Sequence, residues 1–396
     1  MLLTNVRLVP GKTLVDIAIQ GETISNVSQH NLHNKRDEFA IDFENAIAFP
    51  GLINSHDHLD FNCFPMLGKG DYKNYTQWGN DIHERYKQEI NAVLKIPVAL
   101  RTSWGIYKNL LAGVTTVVNH GDVLKIEEDP LITVKQELQN LHSVGFQKKW
   151  KWKLNDPFKM NTNCVIHVGE GTDERSEDEI DELIKWNLLR RKLIGIHAVA
   201  MNSYQAKKFS AIVWCPESNK FLLNKTADVK ILKNHTKLLF GTDSTLTGNW
   251  NVWQHLRLAR DTQQVTDEEL FDMNTKTASA IWGLNNGDIA RGKQADIVIA
   301  KAGNGNYLWD DLFATDPADI LVIIHKGKIR LFDDTILPQL EQTNFDLKKY
   351  KPVALNGTIK YVEGDLPALI NAIKSHYPKA TFPCNELHLE VKARHA

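Results

Sequence analysis

The chain has no run of about 18 uncharged apolar residues, the length that would cross a bilayer as a helix. Its opening residues, Met1-Leu2-Leu3-Thr4-Asn5-Val6-Arg7, lack a basic stretch followed by a long apolar one. Both absences predict a cytoplasmic protein with no membrane partner. Cysteine is scarce: Cys63, Cys164, Cys215 and Cys384 form no C-x-x-C pair, and three lie in or beside apolar strand-like runs. They read as buried free thiols in a reducing compartment, not as a disulfide framework. Excess charge is lacking too. Lys and Arg number 47 against 48 Asp and Glu, which argues against nucleic acid or an acidic membrane as the main partner. Neither an internal repeat nor a low-complexity segment is present.

What remains is a chain of 396 residues, 42% hydrophobic, enough for one large domain and a smaller one. Segments 2–8, 14–20 and 23–27 alternate in polarity and are separated by Pro10-Gly11 and Gly21-Glu22, which predicts three short antiparallel strands. The same texture returns in 292–300 and 319–329. A small β domain built from 1–50 plus 290–335 is therefore expected, with a domain of residues 51–289 inserted in it. In that insert the grammar is strand then helix. A helix over 103–111 closed by Gly113 precedes a strand over 114–119. A strand over 164–168 precedes a helix over 176–190, with Ser176 and Glu179 as a capping box. Further strands are expected over 193–197, 211–215 and 237–241. Near-continuous apolar strands alternating with helices predict a parallel sheet covered by helices, and the length suits a (β/α)8 barrel. The third and fourth strands fall around 138–144 and 150–154, in a segment short for two units. Residues 336–396 read as a C-terminal extension packing on the fold or a neighbouring subunit, with Asp365 capping a helix that ends at Pro378.

The chemistry starts at Asn54-Ser55-His56-Asp57-His58. On a strand, His56 and His58 share a side, which makes half of a metal site. In a (β/α)8 barrel reactive groups stand at the C-terminal strand ends, and later strands end in His167, in His197 and in Asp243 of Gly241-Thr242-Asp243. One histidine after an apolar strand is ordinarily structural, and one Asp after Gly-Thr ordinarily caps a helix. Four strand ends bearing ligand types are harder to explain that way. Three histidines and a carboxylate suit Zn²⁺ or Fe²⁺, whose bound water loses a proton near neutral pH and becomes a nucleophile. Glu170, three residues past His167, is placed to carry that proton to a leaving group. Its alternative is to begin the solvated acidic run 170–182.

Six stretches taken in order, Pro50-Gly51-Leu52-Ile53-Asn54-Ser55-His56-Asp57-His58, Gly113-Val114-Thr115-Thr116-Val117, His167-Val168-Gly169-Glu170, Ile196-His197-Ala198, Cys215-Pro216-Glu217-Ser218-Asn219 and Gly241-Thr242-Asp243-Ser244, resemble the amidohydrolase superfamily. The resemblance is to its aminohydrolase branch, which holds cytosine and guanine deaminases and triazine hydrolases. It implies a distorted (β/α)8 barrel with a β-sandwich formed by both termini, and a homodimer. It also implies one divalent ion, Zn²⁺ or Fe²⁺, held by His56, His58, His167 and Asp243. Glu170 is then the proton shuttle, His197 polarises the substrate's carbonyl or C=N, and Asp243 takes a proton from the nucleophile. Lys149, Lys151 and Lys153 near the expected fourth strand leave a two-metal centre open, although H-x-x-E points to one ion. His120 after the second strand either contacts substrate or caps the strand. Phe61, Phe64, Tyr72, Tyr75 and Trp78, with Trp250 and Trp253 beyond Asp243, either enclose a flat ring or pack a lid helix. The expected function is hydrolysis of a C–N bond in a small polar molecule, foremost the deamination of a nitrogen heterocycle. Ring opening of a cyclic amide or imide comes second, and a non-catalytic scaffold third, against which the full ligand set speaks.

Overall fold

The computed structural model describes residues 1–11, 13–30, 39–303 and 308–387. The architecture is α/β, with one sheet of ten strands and two parallel sheets of five and three.

Both ends of the chain build the ten-stranded sheet. Leu2–Leu8, Leu14–Gln20 and Thr23–Gln29 pair antiparallel, as their alternation predicts. Ala40–Pro50 lies parallel to the first of these and antiparallel to Ile297–Ala300, which joins the two ends. Ile320–His325 and Lys328–Asp333 follow as a hairpin where a single stretch was expected over 319–329. Lys326 and Gly327 turn the chain there with φ of 49° and 71°, the left-handed pair that a tight hairpin needs. Residues beyond 336 add Tyr350–Leu355, Thr358–Glu363 and Cys384–Glu386 to the same sheet. Side chains from both ends, among them Leu3, Ile17, Ile41, Ile299, Val322 and Phe332, form a core separate from that of the central region. Asp365 accepts a hydrogen bond from Ala368 N and caps the helix Leu366–His376, which packs on the helix Val98–Leu111.

The three-stranded parallel sheet holds Leu52–Asp57, Val114–Asn119 and Thr133–Lys135. The five-stranded one runs Gln139–Ser143, Cys164–Val168, Leu193–His197, Ala211–Trp214 and Lys237–Phe240. Most of these strands are buried on both faces, which explains their continuous apolar runs. Thr242 N and Asp243 N donate to His56 O at 3.2 and 3.0 Å and tie the last strand of one sheet to the first of the other. No continuous ladder closes the eight strands among the described residues. At Gly51, where the ten-stranded sheet passes into Leu52–Asp57, a Cβ would lie 2.2 Å from Thr115 Oγ1, so the crossing requires glycine.

Three local expectations are corrected. Residues 150–154 form a helix, not a strand. Trp150 and Leu154, one turn apart, are buried, while Trp152 is 83% exposed. The strand before Gln139–Ser143 is Thr133–Lys135. The helix expected to start at Ser176 is Glu174–Trp186, capped by the Asp173 side chain, which leaves Glu179 free for another task. All four cysteines are free and buried, as expected. Among the described residues no helix is long and apolar enough to cross a membrane.

Candidate active site

Leu52–Asp57 is entirely buried, and its end sets the site. His56 and His58 face one space, while Asp57 between them points away into a buried network. Its carboxylate accepts from Asn62 Nδ2 at 2.9 Å, Lys108 Nζ at 2.9 Å and Asn109 Nδ2 at 2.7 Å. Lys108 and Asn109 come from Val98–Leu111, so that helix grips the H-x-H turn from behind. Sequence reading missed these residues. Their signal in the sequence is polar residues set among the apolar ones of that helix.

The later strand ends converge on the same space. His167 donates from Nδ1 to His142 O at 2.7 Å, which leaves Nε2 unprotonated and 3.3 Å from His56 Nε2. Asp243 Oδ1 lies 3.6 Å from His56 Nε2 and 3.8 Å from His58 Nε2. Ser218 Oγ and Thr247 Oγ1 donate to Asp243 Oδ2 at 2.9 and 3.0 Å, and Ser244 N donates to Oδ1 at 2.8 Å. His197 donates from Nδ1 to Asn219 Oδ1 at 2.8 Å. Ser218 and Asn219 lie in the first turn of Pro216–Leu223, a helix opened by proline at its first position. Their motif is visible in the sequence, but their partners are not. His197 and Asp243 adopt φ of 70° and 58°, the left-handed backbone that bends each strand end toward the centre.

Glu170 is 6% exposed, so it does not begin the solvated acidic run. Its Oε1 lies 3.6 Å from His197 Nε2. Gly169 before it has φ of 61°, and its N–H donates to Glu179 Oε1 at 2.8 Å, which pins the turn. His58, His167, Glu170, His197 and Asp243 line a cavity of about 470 Å³, walled further out by Phe61, Tyr75, Trp78 and Phe146. Trp78 donates from Nε1 to Leu67 O, which fixes its ring. Trp253 is buried and donates to Ala112 O, so it is packing; Tyr72 is tied to Asp81. His120 is buried in contact with the rings of His56, His58 and His167 but is not on the cavity wall. Lys149 immediately precedes the helix Trp150–Leu154, which carries Lys151 and Lys153, and Lys151 pairs with Glu182 at 2.6 Å. The fourth parallel strand, Gln139–Ser143, carries His142 next to its end and presents no bridging lysine.

Burial drives the electrostatics. It holds His56, His120 and His167 well below the ordinary histidine range, helped by the neighbouring imidazoles. His197 is lowered by burial against the opposing pull of Asp243 and Asn219. Burial, then Asp243 and Glu179, push Glu170 well above the usual carboxyl range. Burial would raise Asp243 as well, but His58, His197 and its hydrogen-bond donors hold it below. Uncharged imidazoles around an ionised carboxylate are the donor set of a divalent cation. His56, His197 and Asp243 offer ligand atoms within 4.8 Å of one another. The 3.3 Å between His56 Nε2 and His167 Nε2 matches the roughly 3.3–3.4 Å edge between two nitrogens held at 2.0–2.1 Å by a tetrahedral ion.

Residues 144–330 match the amidohydrolase family. A 5-methylthioadenosine/S-adenosylhomocysteine deaminase from Pyrococcus abyssi is 26% identical, over 84% of this chain and 93% of that protein. A zinc-bound adenosine deaminase from Xanthomonas campestris shares the fold with a TM-score of 0.70 at 15% identity, over 96% of this chain and 98% of that one. A zinc complex of atrazine chlorohydrolase from Arthrobacter aurescens TC1 does so with a TM-score of 0.64 at 17% identity, over 83% and 94%. The chain carries an amidohydrolase family domain, and its resemblance is to the aminohydrolase branch of that family.

Proposed function

We propose that the protein is a metal-dependent aminohydrolase that deaminates a nitrogen heterocycle, and that its substrate is an adenine nucleoside altered at the 5′ position. One observation carries the reaction: His56, His58, His167 and Asp243 converge with Glu170 and His197 at the base of one cavity, which all of them but His56 line. The deaminase from Pyrococcus abyssi supports the substrate class, and a cavity of about 470 Å³ takes a molecule of nucleoside size. Zn²⁺ is the proposed ion, since imidazole and carboxylate donors suit it and both neighbouring structures contain it. We infer too that the two parallel sheets make a distorted (β/α)8 barrel and the ten-stranded sheet a β-sandwich. The backbone link from Asp243 to His56 supports the first, and the separate core of the terminal strands the second.

The ion, when bound by His56, His58, His167 and Asp243, makes a water molecule acidic near neutral pH and polarises the carbon under attack. The side chains do the rest. His197, neutral and with Nδ1 committed to Asn219, presents an accepting Nε2 that holds the attacking water. It donates to the heterocycle only after gaining a proton itself. Asp243, ionised, takes a proton from the water. Glu170 keeps its own proton through burial and delivers it to the ring nitrogen, then carries a proton to the departing amine. The balance is C–NH2 plus water giving C=O plus ammonia.

Ammonia release from 5-methylthioadenosine, 5′-deoxyadenosine, adenosine, guanine and cytosine, beside opening of a panel of cyclic amides, tests this. Release from the adenine nucleosides that Glu170→Gln abolishes is expected. Opening of cyclic amides with no ammonia from any base or nucleoside would replace deamination by amide hydrolysis.

A further inference from the structure

His120 takes no part in that scheme, yet it stands at its centre. Its backbone N–H donates to Asp57 O at 2.9 Å, so the strand end is closed without the side chain. The side chain, with the residue 3% exposed, has no hydrogen-bond partner at either Nδ1 or Nε2 among the described residues. Leaving a buried polar atom unpaired is costly, and such atoms are rare enough to demand a cause. A substrate contact is a poor one, because the ring is off the cavity wall. A ligand role is better. The His120 ring centroid lies 4.3 Å from that of His167, 5.3 Å from His56 and 5.4 Å from His58. His56, His120 and His167 each offer a nitrogen within 4.8 Å of the other two. Three such nitrogens lie within about 2.8 Å of a common centre, so an adjustment of under about 1 Å brings each to the 2.0–2.1 Å of a bound ion.

We propose that His120 is a direct ligand of the bound divalent ion, joining His56, His58, His167 and Asp243 in a four-histidine, one-carboxylate sphere. This rests on the reading that those four residues hold a metal. A fifth protein ligand raises the coordination number, strengthens retention of the ion and leaves less room for water around it. It also explains why a second imidazole beyond the H-x-H pair is kept buried against the rings of His56, His58 and His167.

The test uses the full chain stripped of metal, with Zn²⁺ titrated against a chromophoric competitor and Co²⁺ read by its visible absorption. His120→Ala and His120→Gln should each lower Zn²⁺ affinity by about tenfold or more and intensify the Co²⁺ bands as coordination falls toward four. X-ray absorption on the Zn²⁺-loaded wild type, which requires no variant to fold, should count four imidazoles. A count of three, or affinity within about twofold of wild type with an unchanged Co²⁺ spectrum, overturns the proposal. His56→Ala separates the two levels. If wild type binds Zn²⁺ and His56→Ala does not, while His120→Ala binds like wild type, only the His120 role fails. If wild type binds none, the metal-site reading fails with it.

Discussion

Replacing Lys108 by Met is expected to cost about 3 kcal/mol of folding stability and to loosen the metal site from behind. Lys108 Nζ lies 2.9 Å from Asp57 Oδ2, with the side chains 1% and 0% exposed. Removing one member of a buried ion pair leaves an uncompensated charge and costs about 3–5 kcal/mol. Asp57 retains donors from Asn62 and Asn109, which puts the cost at the low end of that range. Because Asp57 stands between His56 and His58, any relaxation of its carboxylate turns both rings. Urea unfolding of metal-free protein measures the energy, and competitive Zn²⁺ titration measures the site. Asp57→Asn added to Lys108→Met removes the stranded charge and should recover more than half of the lost stability. A loss below about 1 kcal/mol for Lys108→Met, or no recovery in the double variant, would refute the reasoning.

Glu170→Gln should lower kcat by about 10²–10⁴-fold with Zn²⁺ content unchanged, so loss of metal in that variant would contradict a proton-shuttle role. Asn219→Ala frees the His197 ring and should reduce kcat/KM by about 10–100-fold, with metal affinity kept; an unaltered rate would show that the ring is held by other means. Glu179, buried between Gly169 N and Tyr75 Oη, has its carboxyl pushed up to about 7 by burial from an ordinary 4.5. Its contribution to stability is complete below the unfolded value and is lost as pH rises through about 7. Relative to Glu179→Gln, the wild type should therefore weaken between about pH 4.5 and 7, by about 3 kcal/mol at most; parallel stability curves for the two proteins would contradict this.

The site was more legible in the sequence than the frame that holds it. His56, His58, His167, His197 and Asp243 each follow an apolar strand, and strand direction alone sends such residues to one end. Hydrogen-bond partners carry no such periodic signal, which is why Lys108 escaped notice and why the Ser218-Asn219 motif was read without its partners Asp243 and His197. Residues 150–154, Trp-Lys-Trp-Lys-Leu, alternate like a strand over five positions. That is too short to separate period two from the one-turn spacing that buries Trp150 and Leu154. The hairpin of Tyr350–Leu355 and Thr358–Glu363, turned by Asn356-Gly357 with φ of 47° and 83°, was not expected in residues 336–396, although Asn-Gly is a turn signal. Thr133–Lys135 has three residues, none fully buried, and its place is set by pairing with Val114–Asn119 alone.

The claim on which the rest depends is that His56, His58, His167 and Asp243 hold one divalent ion. Metal analysis of purified wild type beside His56→Ala and Asp243→Ala tests it most directly. One ion per chain in the wild type, and loss of most of it in both variants, is predicted; a wild type as metal-free as the two variants would contradict the account.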